Sequence, residues 1–250
     1  MTSGMDGFAR SFRRAHPAVQ ARRSLRPGEW LRVGLLAGLV AALVAIAFDL
    51  AVAERVVDRA VAAEGNDHAA VAVPEPFSRG GQRGGLVTGE LILGAAAAFL
   101  LAGAATFLGP RARSPRRLWL LMTAAAIWGV VVLPAVVYPP LPPGVSSTLG
   151  IGERQLLYLA VVAVGLGGFA AAVHVWSTRL RYRRLLAVAA ALVPAALVVA
   201  LLPDAGADTS RLPAGLLTDF RVVSIASQLL FWSALAVAGA LLLRPRQPGA

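Results

Sequence analysis

Six apolar stretches, each about as long as a bilayer is thick, dominate this 250-residue sequence. They run over residues 31–53, 91–108, 118–137, 155–176, 185–202 and 222–243, and the first has an uncharged core from 33 to 48. Crossing the hydrocarbon takes about 20 apolar residues at 1.5 Å each. Inside lipid every backbone N–H and C=O must be satisfied within the segment, which selects helices. The expected fold is therefore an all-α polytopic membrane protein, a bundle of about six transmembrane helices. Charged residues make up only 15% of the chain and sit almost entirely between the apolar blocks, where a soluble domain would spread them over its whole surface. The fifth stretch carries Pro194 near its middle, so a kink is expected there, with neighbours satisfying the freed carbonyl.

Orientation follows from arginine. The net charge is +11 and there is no lysine. Seventeen of the twenty-four arginines fall in the N-terminal segment through Arg32, in the connections after the second and fourth stretches, and in the C-terminal tail. The positive-inside rule puts those segments in the cytoplasm, giving an N-in/C-in bundle in the inner membrane. Acidic residues distribute the other way, with Asp6 and Glu29 inside and nine in the outer connections. The organisation is an Arg-rich cytoplasmic tail (1–30), a six-helix domain (31–243) with an outer loop at 54–85, and a short cytoplasmic tail (244–250). Arginine clusters flanking apolar segments fit anionic lipid headgroups. They do not fit nucleic acid, because no basic face interleaved with stacking aromatics is present. Arg13-Arg14 and Ala51-Val52-Ala53 resemble parts of an export signal, but the apolar stretch starts late and runs long, so an uncleaved anchor helix is expected. Residues 53–64 read as an amphipathic continuation of the first helix, with Val56, Val57, Ala60 and Val61 on one side. The absence of cysteine removes disulfide, thiolate and Cys-type zinc chemistry.

Ionisable groups within a bilayer are costly, and two stand out. Asp49 lies near the outer end of the first stretch and Glu90 at the outer start of the second. The antiparallel course of these helices brings both carboxylates to similar depth, where two hard oxygen ligands could attract a divalent cation or relay a proton. The alternative is that both snorkel to water, with Arg83 or Arg55 as counter-ion. Ser224 and Gln228 share one face of the sixth helix, as interhelical hydrogen-bond glue or as part of a polar vestibule. Glu153, Arg154 and Gln155 open the fourth helix, where Glu153 suits the helix dipole and Arg154 and Gln155 are vestibule candidates. His174 reads as an interfacial residue beside Trp176, and Asp67-His68 as part of a solvated loop with weak metal-binding capacity. The pattern Gly34-Leu35-Leu36-Ala37-Gly38 marks close helix packing, as do Gly165, Gly167 and Gly168. No P-loop, HExxH or GxSxG occurs, and the three histidines, at 16, 68 and 174, are far apart, so an enzyme is not expected.

The order of these features is similar to the CbtA family of probable cobalt transporter subunits. The resemblance rests on the Arg-flanked first helix followed by Glu54, on Pro74-Glu75-Pro76 leading into a Gly/Ala/Leu-rich second helix, and on the turn Pro139-Pro140-Leu141-Pro142. It continues with Glu153-Arg154-Gln155-Leu156-Leu157-Tyr158 and with Phe231-Trp232, covering roughly residues 31–243. The family's outer loop is richer in Glu and His than this one. The resemblance implies a membrane subunit of a cobalt uptake system working with a small partner membrane subunit, with Co²⁺ as transported ion and no bound cofactor. Asp49 and Glu90 are then the candidate cation-binding residues, and Arg154, Gln155 and Gln228 shape the vestibule. Assembly as a homo-oligomer stays open. The competing expectation is a non-transporting scaffold or assembly partner whose polar residues only hold helices together.

Overall fold

The computed structural model describes residues 25–67, 78–143, 145, 147–203, 206–207 and 212–244. The 1–24 part of the Arg-rich tail, the Pro74-Glu75-Pro76 segment, Arg211, His16 and His68 lie outside the described residues. The described chain is helical, apart from turns and an isolated antiparallel bridge between Ser147 and Ala207. Helix α1 (Pro27–Phe48) passes through a π-helical turn (Asp49–Ala53) into α2 (Glu54–Asp67). Next come α3 (Arg79–Leu108), α4 (Pro115–Ala126), a second π-helical turn (Ile127–Val132) and α5 (Leu133–Val137). Helices α6 (Ile151–Ser177), α7 (Arg183–Leu201) and α8 (Leu216–Leu242) complete the bundle. Six continuous helical stretches are long and apolar enough to cross a membrane: Pro27–Ala62, Arg79–Arg111, Pro115–Val137, Ile151–Ser177, Arg183–Leu201 and Leu216–Leu242.

Within the connection expected at 54–85, the described residues 54–67 and 79–85 are helical. Helix α1 runs on through Asp67, and α3 starts at Arg79, eleven residues before Glu90. The physical reason for the first extension is the face already visible in the sequence. Val56 and Ala60 are buried against Leu216, with Leu212, Phe220 and Val223 packed around them. The start of α3 is less favourable on its own, since five of residues 79–89 are glycine. Each glycine costs about 1 kcal/mol against alanine in a helix. Ser78 caps this segment by accepting from the Gly81 N–H at 3.2 Å.

Helix α1 is the centre of the bundle, packed chiefly on α3 and α8. The closeness to α3 comes from small residues. A Cβ on Gly94 would stand 2.6 Å from the Gly38 carbonyl oxygen, and one on Gly34 would stand 2.9 Å from that of Ala98. No larger side chain fits between these backbones, which is how a GxxxG face raises van der Waals contact in lipid. Helices α6 and α7 form a second pair that meets the rest through the π-helical turn and α5. There Gly165 crosses Gly129, and Gly168 lies against the Ala190 carbonyl, the one that Pro194 deprives of its N–H partner. Gly167 faces open space and takes no part in packing.

The helices alternate in direction. Gly109, after α3, lies beside Trp30 at the start of α1, and the Trp119 indole N–H at the start of α4 donates to the Leu235 carbonyl near the end of α8 at 3.1 Å. One end of the bundle therefore holds Trp30, Trp119 and Gly239. The opposite end holds Asp49, Glu54, Arg79, Glu90 and Ser227.

Candidate cation site

Helix α1 turns π-helical at Asp49, and the carboxylate of this residue is buried at 6% exposure. Such turns place an extra residue in the helical ladder and recur at functional sites. Helix α8 presents Ser227 to this position, with its hydroxyl beside the Asp49 carboxylate. Helix α3 brings Glu90 close enough for the Asp49 charge to act on it. The Glu90 Oε2 is buried and has no hydrogen-bond partner. Three helices thus converge on two carboxylates and a hydroxyl, at the place where α1 departs from regular geometry.

Arg83 and Arg55 do not serve these acids. No arginine lies within ion-pair distance of Asp49 or Glu90 among the described residues. Arg83 instead donates to Glu54 at 2.8 Å, and Arg79 reaches the same Glu54 oxygen at 3.2 Å as well as Asp58. Arg59 pairs with Asp219 of α8 at 2.9 Å. Ionisable groups at such a depth are costly and mark candidate functional positions. The donors are all oxygen, which suits a cation that keeps part of its water shell. Among the described residues no three His, Cys, Asp or Glu converge as a metal cage.

The other polar residues singled out in the sequence occupy different places. Gln228 is half-buried, one position beyond Ser227 on α8. Arg154 is half-buried at the start of α6 and donates to the Pro139 carbonyl at 3.3 Å, tying the proline-rich turn to that helix. Gln155 is exposed beside it, and α6 is not one of the main packing partners of α8. Tyr158 hydrogen-bonds the Val130 carbonyl at 3.0 Å. His174 is exposed near the end of α6. Asp67 ends α2, and its would-be companion His68 is outside the described residues.

Ser227 is the member of the site that sequence reasoning passed over in favour of Ser224 and Gln228. Its signal was spacing, since Ser227, Phe231, Leu235 and Gly239 recur every four residues and are all buried. In an almost uniformly apolar helix that stripe does not stand out from the lipid-facing side.

No curated protein and no solved structure matches the chain. A family model described as "Probable cobalt transporter subunit (CbtA)" matches residues 28–244, which takes in all six spans and the carboxylate pair. With that coverage, this multi-pass membrane protein belongs to the CbtA family.

Proposed function

We propose that the chain is the membrane subunit of a divalent-cation uptake system, with cobalt as its cargo and Asp49 and Glu90 as the residues that take the ion from water. The observation that carries this reading is the buried, partnerless Glu90 oxygen close to the buried Asp49, with no arginine paired to either among the described residues. Two carboxylates replace part of the hydration shell and neutralise a divalent charge, while Ser227 holds Asp49 in place. A small all-oxygen donor set binds weakly enough to let the ion leave, which conduction and transport require. Gln228, beside Ser227, together with Arg154 and Gln155, forms the proposed lining beyond the pair. The word "subunit" in the family description supports a partner, for which a small membrane protein is the proposed candidate. The arginine distribution supports an N-in/C-in orientation in the inner membrane against anionic lipid.

The test is radiolabelled cobalt uptake in a deletion strain carrying either the wild-type chain or Asp49→Asn/Glu90→Gln. The double variant inserts normally and loses uptake. Wild-type uptake by the double variant removes the site, and no effect of the deletion itself favours a non-transporting scaffold.

A further inference from the structure

The acidic end of the bundle is closed by a contact that the carboxylate pair does not need for its own geometry. Glu54 lies five positions after Asp49. On a regular α-helix that spacing turns the second residue about 140° from the first. Here the intervening turn is π-helical and the Glu54 N–H donates to the Asp49 carbonyl oxygen. Residues five apart then stack on about one face. Both acids are buried and both are directed to α3, Asp49 towards Glu90 and Glu54 towards Arg79 and Arg83. Arg79, Arg83 and Glu90 fall at i, i+4 and i+11, one stripe of α3. The Glu54–arginine contact therefore sits about 10 Å along α3 from Glu90, between the carboxylate pair and the end of the bundle.

The two sides of that contact differ in how firmly they are held. Glu54 belongs to α2, which is fixed to α8 by Val56 and Ala60 on Leu216 and by the Arg59–Asp219 pair. The opposite side is the glycine-rich start of α3, and none of residues 79–89 is buried. What ties those first turns to the bundle is Arg79 and Arg83 reaching Glu54 and Asp58.

We infer that Glu54 is the clasp of a gate over the Asp49–Glu90 pair, and that the glycine-rich segment 79–89 is its moving part. Release of the two arginines from Glu54 lets the start of α3 unwind and opens the pair to water. An arriving divalent cation competes with the two guanidinium groups for the same carboxylate. The claim that the gate admits cargo rests on the proposed function; the claim that it opens does not.

The chain has no cysteine, so a single introduced thiol reports access without further substitution. In purified Ser227→Cys protein, a charged, water-soluble thiol reagent labels slowly. Adding Glu54→Gln speeds labelling at least tenfold, whereas adding Arg59→Gln leaves the rate within twofold, because α2 stays on α8 through its apolar face. Equal rates with and without Glu54→Gln overturn the gate. Should the Glu54 variant fail to fold, hydrogen exchange on the wild-type chain decides. Amides 80–89 exchange faster in 1 M NaCl, which screens the ion pairs, while amides 97–105 do not. No salt effect on 80–89 also overturns the gate. For the cargo, Glu54→Cys/Arg83→Cys is cross-linked in cells by oxidant. Cobalt uptake falls at least tenfold and recovers on reduction, and uptake indifferent to the cross-link takes the gate off the cation's path. If the Asp49/Glu90 variant keeps its uptake, the site assignment fails while the labelling and exchange results stand on their own.

Discussion

Pro134 has no N–H, so the Val130 carbonyl four residues earlier has no ordinary helical donor. Tyr158 supplies one from the neighbouring helix at 3.0 Å, inside the segment that turns π-helical. In lipid, where water is not at hand to replace it, such a bond is worth about 1 kcal/mol. Tyr158→Phe lowers stability by roughly that amount in a detergent unfolding assay. In a Pro134→Ala background the same change costs measurably less, because residue 134 then has its own N–H; equal costs in both backgrounds would detach Tyr158 from the proline. At the carboxylate pair, Ser227 lies beside Asp49 and carries no charge. Ser227→Ala weakens cobalt binding about tenfold, in the range seen when an outer-shell partner of a metal ligand is removed, and leaves insertion unchanged.

At the scale of elements, glycine decides which helices touch. Gly38 and Gly94 mark the backbone crossing of α1 and α3, and Gly94→Val forces these helices apart, lowering thermal stability by about 1–3 kcal/mol as overpacking does. The same substitution at Gly167, which meets nothing, has no such effect. Much of this level was legible in advance. Six spans, the GxxxG contact and the apolar face of residues 53–64 follow from length, spacing and periodicity alone. Asp49 and Glu90 were recognisable because charge is rare inside such stretches. What stayed hidden depends on departures from regular geometry. A π-helical turn has no compositional mark, so neither the alignment of Glu54 with Asp49 nor the pairing of Arg83 with Glu54 could be foreseen. A glycine-rich run such as 79–89 reads as loop, and it is helical here with the help of partners distant in sequence.

Over the described residues, charge is polarised. Arg111, Arg113, Arg116, Arg117, Arg179, Arg181, Arg183 and Arg184 gather between the spans at the Trp119 end, while the described acids other than Glu29 cluster at the other. Arg184 stacks on Trp176 and Arg181 on Tyr182, an arrangement suited to the headgroup layer. Single cysteines at positions 113 and 181 in this cysteine-free chain are expected to react only with reagents that reach the cytoplasm, and one at position 84 only with reagents outside; labelling of all three from one side would break the alternation of spans. The central claim concerns Asp49 and Glu90 at the acidic end of the bundle. Its most direct test is the melting temperature of the purified chain with and without Co²⁺. Cobalt at a hundred times its Kd stabilises a single-site protein by about 2.7 kcal/mol, so the wild-type melting temperature rises and that of Asp49→Asn/Glu90→Gln does not. An equal rise in both proteins would mean that the ion binds elsewhere.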